Sequence, residues 1–469
     1  MSNPVNPISF VRGEIADVVA WLQASFGERV SVSGAVREQH ARGEGLATSM
    51  APDVVVWPAS KEEVCAILAK CNAHEVPIIA FGAGSSLEGH VSAPYGGVCV
   101  DLSRMNSVLA LHLEDSDCVV QPGITREDLN AHLKGSGLFF PVDPGANATI
   151  GGMVSTRASG TTTMRYGSMV HNVMALEVAL ADGRLIRVGT RARKSSAGYD
   201  MVHLLTGSEG TLGIITEVTL RLHPLPAEVA AASCAFPTLA AAVEAVIEMS
   251  LSGVPFARIE FLDEHQVRAC NLHSHLNLTE LPTLFLEFHG TELAVREQAE
   301  LAQEVVASHG GIDFKWASRP EDRSQLWRAR HLAYFAALAL RPGCVSIVAD
   351  VCVPMSTLAE CVANVRADID REGLVAPIVG HVGDGNFHVL FMPMPDAPEE
   401  HAAVDRVYGA MVAHALALGG TCTGEHGIGM GKKDKLLAEY GHEVVDLMQA
   451  IKLAWDPKSI LNPGKIFGK

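Results

Sequence analysis

The sequence predicts an α+β or α/β protein with more than one domain. Three observations carry this prediction. Short apolar runs alternate with helix-periodic segments from residue 54 onwards, and three glycine-rich stretches interrupt them. Residues 239–353 then run in the order helix, strand, strand, helix, strand, which fits most of a ferredoxin-like arrangement. A mainly helical segment follows over 399–455.

Taken in order, residues 1–50 form a helical lead-in, because Ile15, Val18, Val19 and Leu22 recur at helical spacing. Residues 54–57 are a strand. Ser60 with Glu63 three residues on is a capping box, opening a helix that runs to Cys71. Strands follow at 76–81, 98–102, 118–121, 175–181 and 214–222, and the proline pair Pro224 and Pro226 closes the region. Beyond it come a helix at 239–249, strands at 257–262 and 283–288, a helix at 292–309 and a strand at 345–353. The tail 462–465 is a turn. The segments are therefore 1–50, 51–226, 227–455 and 456–469.

Composition excludes several function classes. The 469 residues suffice for about two or three domains. Hydrophobic residues make up 48% and charged residues 19%, so the chain has ample core material and is not disordered. With 36 basic against 53 acidic side chains the net charge is −17, which gives no bulk attraction for nucleic acid. The basic cluster of Arg191, Arg193 and Lys194 sits among Ser and Gly and reads as a solvated loop. Ten scattered cysteines without a C-x-x-C argue against an iron–sulfur cluster, a cysteine zinc site or a dithiol redox pair. Cys99, Cys352 and Cys361 read as buried thiols in a reducing compartment. No apolar stretch reaches the roughly 18 residues a membrane span needs. Residues 1–10 lack a basic segment leading into an apolar one. The expectation is a cytoplasmic protein, with peripheral contact to an inner membrane allowed.

The first glycine cluster, Gly82-Ala83-Gly84-Ser85-Ser86 with Gly89 beyond it, directly follows a strand. Its N–H groups can form a nest for an anion, although the dinucleotide fingerprint G-x-G-x-x-G is not met. Alone, it is as well explained by a turn. The second stretch runs from Pro141 through Asp143-Pro144, Ala148, Thr149, Gly151, Gly152 and Ser159-Gly160 to Tyr166-Gly167. Nearly thirty residues rich in small side chains would make a poor core but suit a backbone wrapped round a large flat ligand carrying a pyrophosphate. The third, from Gly207 through Glu209-Gly210 and Gly213 to Ile215, repeats that character. Three such stretches in one domain favour a cofactor cradle.

The sharpest local pattern is His381-Val-Gly-Asp-Gly-Asn386-Phe-His388. Asp-Gly and Gly-Asn form turns, so the chain can double back and bring the two imidazoles together as the start of a divalent-metal site. Glu425, framed by glycines, can supply a third ligand. His426 is then left as a base. Singly, each of these histidines is better explained by a structural role; together with the glycine framing and Glu425-His426, they favour a site. Arg330 is a carboxylate clamp in chemistry, but its spacing does not set it apart from solvated helix arginines.

Residues 52–55 through Ser86, 143–153 and 207–213 together resemble the FAD-binding domain of the vanillyl-alcohol-oxidase type. Residues 381–388, Glu425-His426-Gly427 and the ending Asn462-Pro463-Gly464-Lys465 resemble the FAD-linked oxidase C-terminal domain. The combination resembles the group of D-lactate dehydrogenases (cytochrome) and glycolate oxidase large subunits, close also to D-2-hydroxyglutarate dehydrogenases. It extends from about residue 35 to 469. The resemblance implies a two-part FAD domain over 51–226, a ferredoxin-like substrate or cap domain with the metal site over 227–455, and a tail over 456–469 returning to the FAD domain.

It further implies that FAD is held by Gly82, Ala83, Gly84, Ser85, Ser86, Pro122, Gly123, Asp143, Pro144, Ala148, Thr149, Gly151, Gly152, Ser159, Gly160, Tyr166, Glu209, Gly210, Gly213, Ile215 and Asn462. The flavin is expected to be non-covalent, because no His or Cys lies between Asp143 and Arg165. His381, His388 and Glu425 match the family's zinc or manganese ligands, His426 its base, and Arg330 with Asn386 its substrate contacts. The strand at 345–353 lacks the lysine with which 2-hydroxyglutarate enzymes hold a second carboxylate. The expectation is oxidation of a D-2-hydroxy monocarboxylate, D-lactate to pyruvate first, with glycolate or D-2-hydroxyglutarate as the alternatives. Electrons would leave to an external acceptor such as cytochrome c, a quinone or an electron-transfer flavoprotein, and a homodimer is compatible with the family. A flavin-free metal hydrolase and a non-catalytic flavin-binding subunit are the rival readings.

Overall fold

The computed structural model describes residues 12–45 and 49–467, so the reading of residues 1–10 lies outside the described residues. The chain packs as two compact units. The first comprises Met1–Ser159, Gly167–Leu225 and Glu425–Lys469, and the second comprises Gly160–Tyr166 and Pro226–Gly424. The packing thus divides the chain after Gly424, whereas the sequence segments divide it at 455.

The first unit contains a four-stranded and a five-stranded sheet. The four-stranded sheet runs in the order Val30–Ser31, Val54–Val56, Val98–Asp101, Ile78–Phe81, its last three strands parallel. Apolar runs such as Val54–Val56 are wholly buried, as parallel strands covered on both faces must be. The helix Ala16–Phe26 lays Val18 and Leu22 into this core. Ser60 caps the helix Lys61–Ala73 as expected, accepting the Glu63 N–H at 3.3 Å. The Glu63 carboxylate instead receives the Ala59 N–H at 2.7 Å and the Arg29 guanidinium at 2.6 Å.

The five-stranded sheet is antiparallel, in the order Val108–His112, Asp117–Val120, Ile214–Arg221, Val173–Ala179, Leu185–Gly189. Both strands that hydropathy missed, Val108–His112 and Leu185–Gly189, are its edges. Edge strands keep one face and one backbone rim in solvent, and both are at most partly buried, so neither stands out as a core strand although Val108 to Leu111 are all apolar.

The second unit is built on a seven-stranded antiparallel sheet. Strands Glu228–Ala235, Phe256–Leu262, Thr283–Gly290 and Ile312–Ala317, with helices Leu239–Leu251 and Glu292–Ser308, follow the ferredoxin-like order of elements. Strand Glu228–Ala235 completes the motif; its alanines carry no β-branched signal. The sheet continues past Phe256–Leu262 through Ile378–His381, Asn386–Phe391 and Ile347–Cys352. The helices Glu264–Ser274 and Met355–Glu372 are absent from the expected elements, although Leu358, Val362, Val365 and Ile369 recur at helical spacing. No described helix is long and apolar enough to cross a membrane. No disulfide joins any of the ten cysteines among the described residues; Cys99 and Cys361 are buried, but Cys352 is only partly so.

Candidate functional site

In the first unit the glycine stretches converge. After strand Ile78–Phe81, a Cβ placed on Gly82 would lie 2.2 Å from Thr149 Oγ1, so the first and second stretches touch only because residue 82 has no side chain. Gly151 approaches Pro122 as closely, its N–H donating to the Pro122 carbonyl at 2.8 Å and its Cβ position 2.6 Å from the Pro122 ring. Gly123 likewise leaves no room beside the Leu102 carbonyl. Gly84 takes φ +70°, a left-handed conformation that costs a glycine nothing. The Ser86 hydroxyl is buried without a hydrogen-bond partner among the described residues. A buried orphan hydroxyl at the end of a side-chain-free cradle is what a polar, phosphate-bearing ligand would satisfy, so these residues fit FAD.

The third stretch is braced from below. The Glu209 N–H donates to the Ser155 carbonyl at 2.8 Å. The Lys452 ammonium donates to the Thr211 carbonyl at 2.7 Å, to Leu461 at 2.9 Å and to Asp456. The Glu209 carboxylate accepts the N–H groups of Ile428 at 2.7 Å and Gly429 at 2.8 Å, with His90 Nε2 at 3.2 Å. Burial alone would push this carboxyl up; His90 and the two N–H donors outweigh it and hold it below its usual range. The structure thus commits the Glu209 side chain to fixing the loop after His426. Asn462 donates to the carbonyls of Glu209 at 2.7 Å and His90 at 3.2 Å, and its Oδ1 accepts from Lys465. Ile215 is buried in the apolar core and Gly213 abuts Val178. Ser159 donates to Glu425 at 2.6 Å. Asp143 and Pro144 lie half-buried, Ala148 packs on the core, and Gly210 takes φ +72°.

Gly160 and Tyr166 belong to the second unit, where Tyr166 hydrogen-bonds His289 Nδ1 at 2.7 Å. Here the Asp-Gly-Asn turn forms as expected. His381 pairs across the hairpin with Asn386, and Gly385 takes φ +84°. His388, two residues beyond Asn386, therefore points to the same face as His381. Their rings lie edge to face with centroids 5.3 Å apart. Asn386 donates to the Val351 carbonyl at 2.8 Å, and its Oδ1 has no hydrogen-bond partner among the described residues.

Behind the pair lies a residue that sequence reasoning missed. Glu260, on strand Phe256–Leu262, is fully buried and binds His381 Nδ1 through Oε1 and Arg330 Nε through Oε2, both at 2.6 Å. Burial raises its pKa, but His381 and Arg330 outweigh that and hold it ionised below its usual range. A carboxylate only accepts, so His381 carries a proton on Nδ1, and in the neutral ring this leaves the lone pair on Nε2. Two imidazoles, one oriented by a carboxylate, are a donor set that suits a divalent metal. The available signal was an acid inside a strand that is apolar but for Arg258. Asp350 gives the same signal in Ile347–Cys352: it accepts the Gly424 N–H at 2.6 Å, immediately before Glu425.

Comparison with known proteins agrees with this picture. The profile described as "FAD linked oxidases, C-terminal domain" matches residues 225–466, and that of an "FAD binding domain" matches residues 52–189. A "Probable D-lactate dehydrogenase, mitochondrial" of Danio rerio is 48% identical over 442 residues, covering 94% of this chain and 89% of the relative. "D-lactate dehydrogenase [cytochrome], mitochondrial" of Arabidopsis thaliana is 48% identical over 415 residues, covering 88% and 73%. Among solved structures, p-cresol methylhydroxylase with substrate bound shares the fold at TM-score 0.78 and 19% identity, covering 98% of both chains. With an FAD-binding domain and an FAD-linked oxidase C-terminal domain in this order, the chain belongs to the FAD-linked oxidases, as a relative of the D-lactate dehydrogenases.

Proposed function

We propose that this flavoenzyme oxidises a D-2-hydroxy acid, with D-lactate to pyruvate as the reaction, and passes the electrons to an external acceptor. The observation that carries this reading is the Glu260 bridge. It orders one imidazole of a same-face histidine pair and one arginine, in a chain 48% identical to D-lactate dehydrogenases over nearly its whole length. FAD supplies, when bound, the two-electron sink for the C2 hydrogen. A zinc or manganese ion held by His381, His388 and Glu425 would supply Lewis acidity toward the substrate hydroxyl.

Arg330 uses only Nε toward Glu260; its two Nη groups make no hydrogen bond among the described residues, which supports a role in gripping the substrate carboxylate. His426 accepts the hydroxyl proton. Asn386, whose Oδ1 has no hydrogen-bond partner among the described residues, contributes to orienting the substrate. A monocarboxylate fits best, because strand Ile347–Cys352 offers no lysine for a second carboxylate. A cytochrome is the acceptor suggested by the Arabidopsis relative's name.

The test is the visible spectrum of the purified protein, with D-lactate added anaerobically before and after chelation. Flavin bands that bleach with D-lactate, and fail to bleach once chelated, support the reading. Flavin bands indifferent to D-lactate but bleached by glycolate or D-2-hydroxyglutarate would replace the substrate. Bands that bleach equally after verified metal removal would sink the metal's role.

A further inference from the structure

The Glu260 carboxylate is wholly enclosed, yet it spends both oxygens on groups from two other elements. Residue 261 pairs with Gly380 and residue 262 with Val379, so one step further along this register sets Glu260 opposite His381. Arg330 reaches the second oxygen from helix Pro320–His331. The side chain of Glu260 is 0% exposed, that of His381 9% and that of Arg330 16%. Removing an anion from water is costly, and a fold that needed only a spacer here would bury an apolar residue. Two charge-assisted bonds of 2.6 Å fix the imidazole's tautomer and the plane of the guanidinium at once.

We propose that Glu260 is a positioning residue that couples the metal ligand His381 to the substrate clamp Arg330. Through Oε1 it keeps the proton on His381 Nδ1 and the lone pair on Nε2. Through Oε2 it holds Arg330 by Nε, so that the Nη fork faces outward as one rigid unit. Substrate carboxylate and metal ion are then held at a separation that a single side chain sets. This inference rests on the metal-assisted 2-hydroxy-acid reading above.

The test uses the FAD-loaded full-length protein, stripped with chelator and titrated with Mn²⁺ or Zn²⁺, followed by D-lactate kinetics at saturating metal. For Glu260→Gln, FAD content stays at the parent level and metal affinity falls roughly 10–100-fold. At saturating metal kcat recovers while KM for D-lactate stays raised, a split that general destabilisation does not produce. Unchanged metal affinity and KM overturn the coupling, as does a change in one without the other. If the Gln variant loses FAD or fails to fold, Glu260→Asp keeps the charge but withdraws it by one methylene. It must then show the same two shifts in smaller degree, and their absence overturns the proposal. A parent protein that binds neither metal nor any 2-hydroxy acid overturns the functional reading itself. A normal parent with an unchanged variant overturns only the role of Glu260.

Discussion

Glu209 and Gly429, 220 residues apart in the chain, are joined by a buried hydrogen bond of 2.8 Å from the Gly429 N–H to the Glu209 carboxylate. With the matching bond from Ile428 at 2.7 Å, the bond anchors the loop that carries His426 onto the third glycine stretch. Gly427 is required there, because a Cβ would lie 2.8 Å from Glu209 Oε1 and 3.0 Å from the His90 ring.

Glu209→Ala leaves two buried N–H groups unsatisfied, at about 1–3 kcal/mol each. Urea unfolding should show a loss of roughly 2–6 kcal/mol, with Glu209→Gln losing less because it keeps a neutral acceptor. Equal stability of Glu209→Ala and the parent would contradict the anchoring role.

Gly82→Ala places a methyl against Thr149 Oγ1, so one of the two stretches has to shift. The strain is about 1–3 kcal/mol, and it falls on the cradle. The ratio of flavin to protein absorbance after purification should drop. Gly145→Ala, where nothing lies within 4 Å, should leave that ratio unchanged.

His426→Ala should keep FAD and lower the rate of anaerobic flavin reduction by D-lactate about 10²–10⁴-fold, the usual worth of a positioned base. Stopped-flow absorbance reads this directly. Full activity would remove His426 from the chemistry.

Lys465 reports on pH. Burial lowers its ammonium from the usual 10.5 to about 7, against the partial compensation of Glu209. Between these values the unfolded chain binds more protons than the folded one. Stability therefore rises as pH climbs from about 7 towards 10.5, by a few kcal/mol at most, and the charge's full cost is present below pH 7. Lys465→Met should flatten this slope. Urea midpoints of parent and variant at pH 7 and pH 9 give the difference, and parallel slopes would refute it.

The amino-acid pattern by itself determined the buried strands such as Val54–Val56 and Val98–Asp101, the close-approach glycines and the Asp-Gly-Asn turn that pairs His381 with Asn386. These are local: apolar runs, missing side chains and turn chemistry act over a few residues. Only the tertiary structure decided that the edges Val108–His112 and Leu185–Gly189 are strands, since their pairing comes from a neighbour and not from their own composition. It alone revealed Glu260 and the brace from Glu209 to Gly429. A buried carboxylate is stable only when distant cations and N–H groups are brought to it, and nothing in the residues on either side of it specifies those partners.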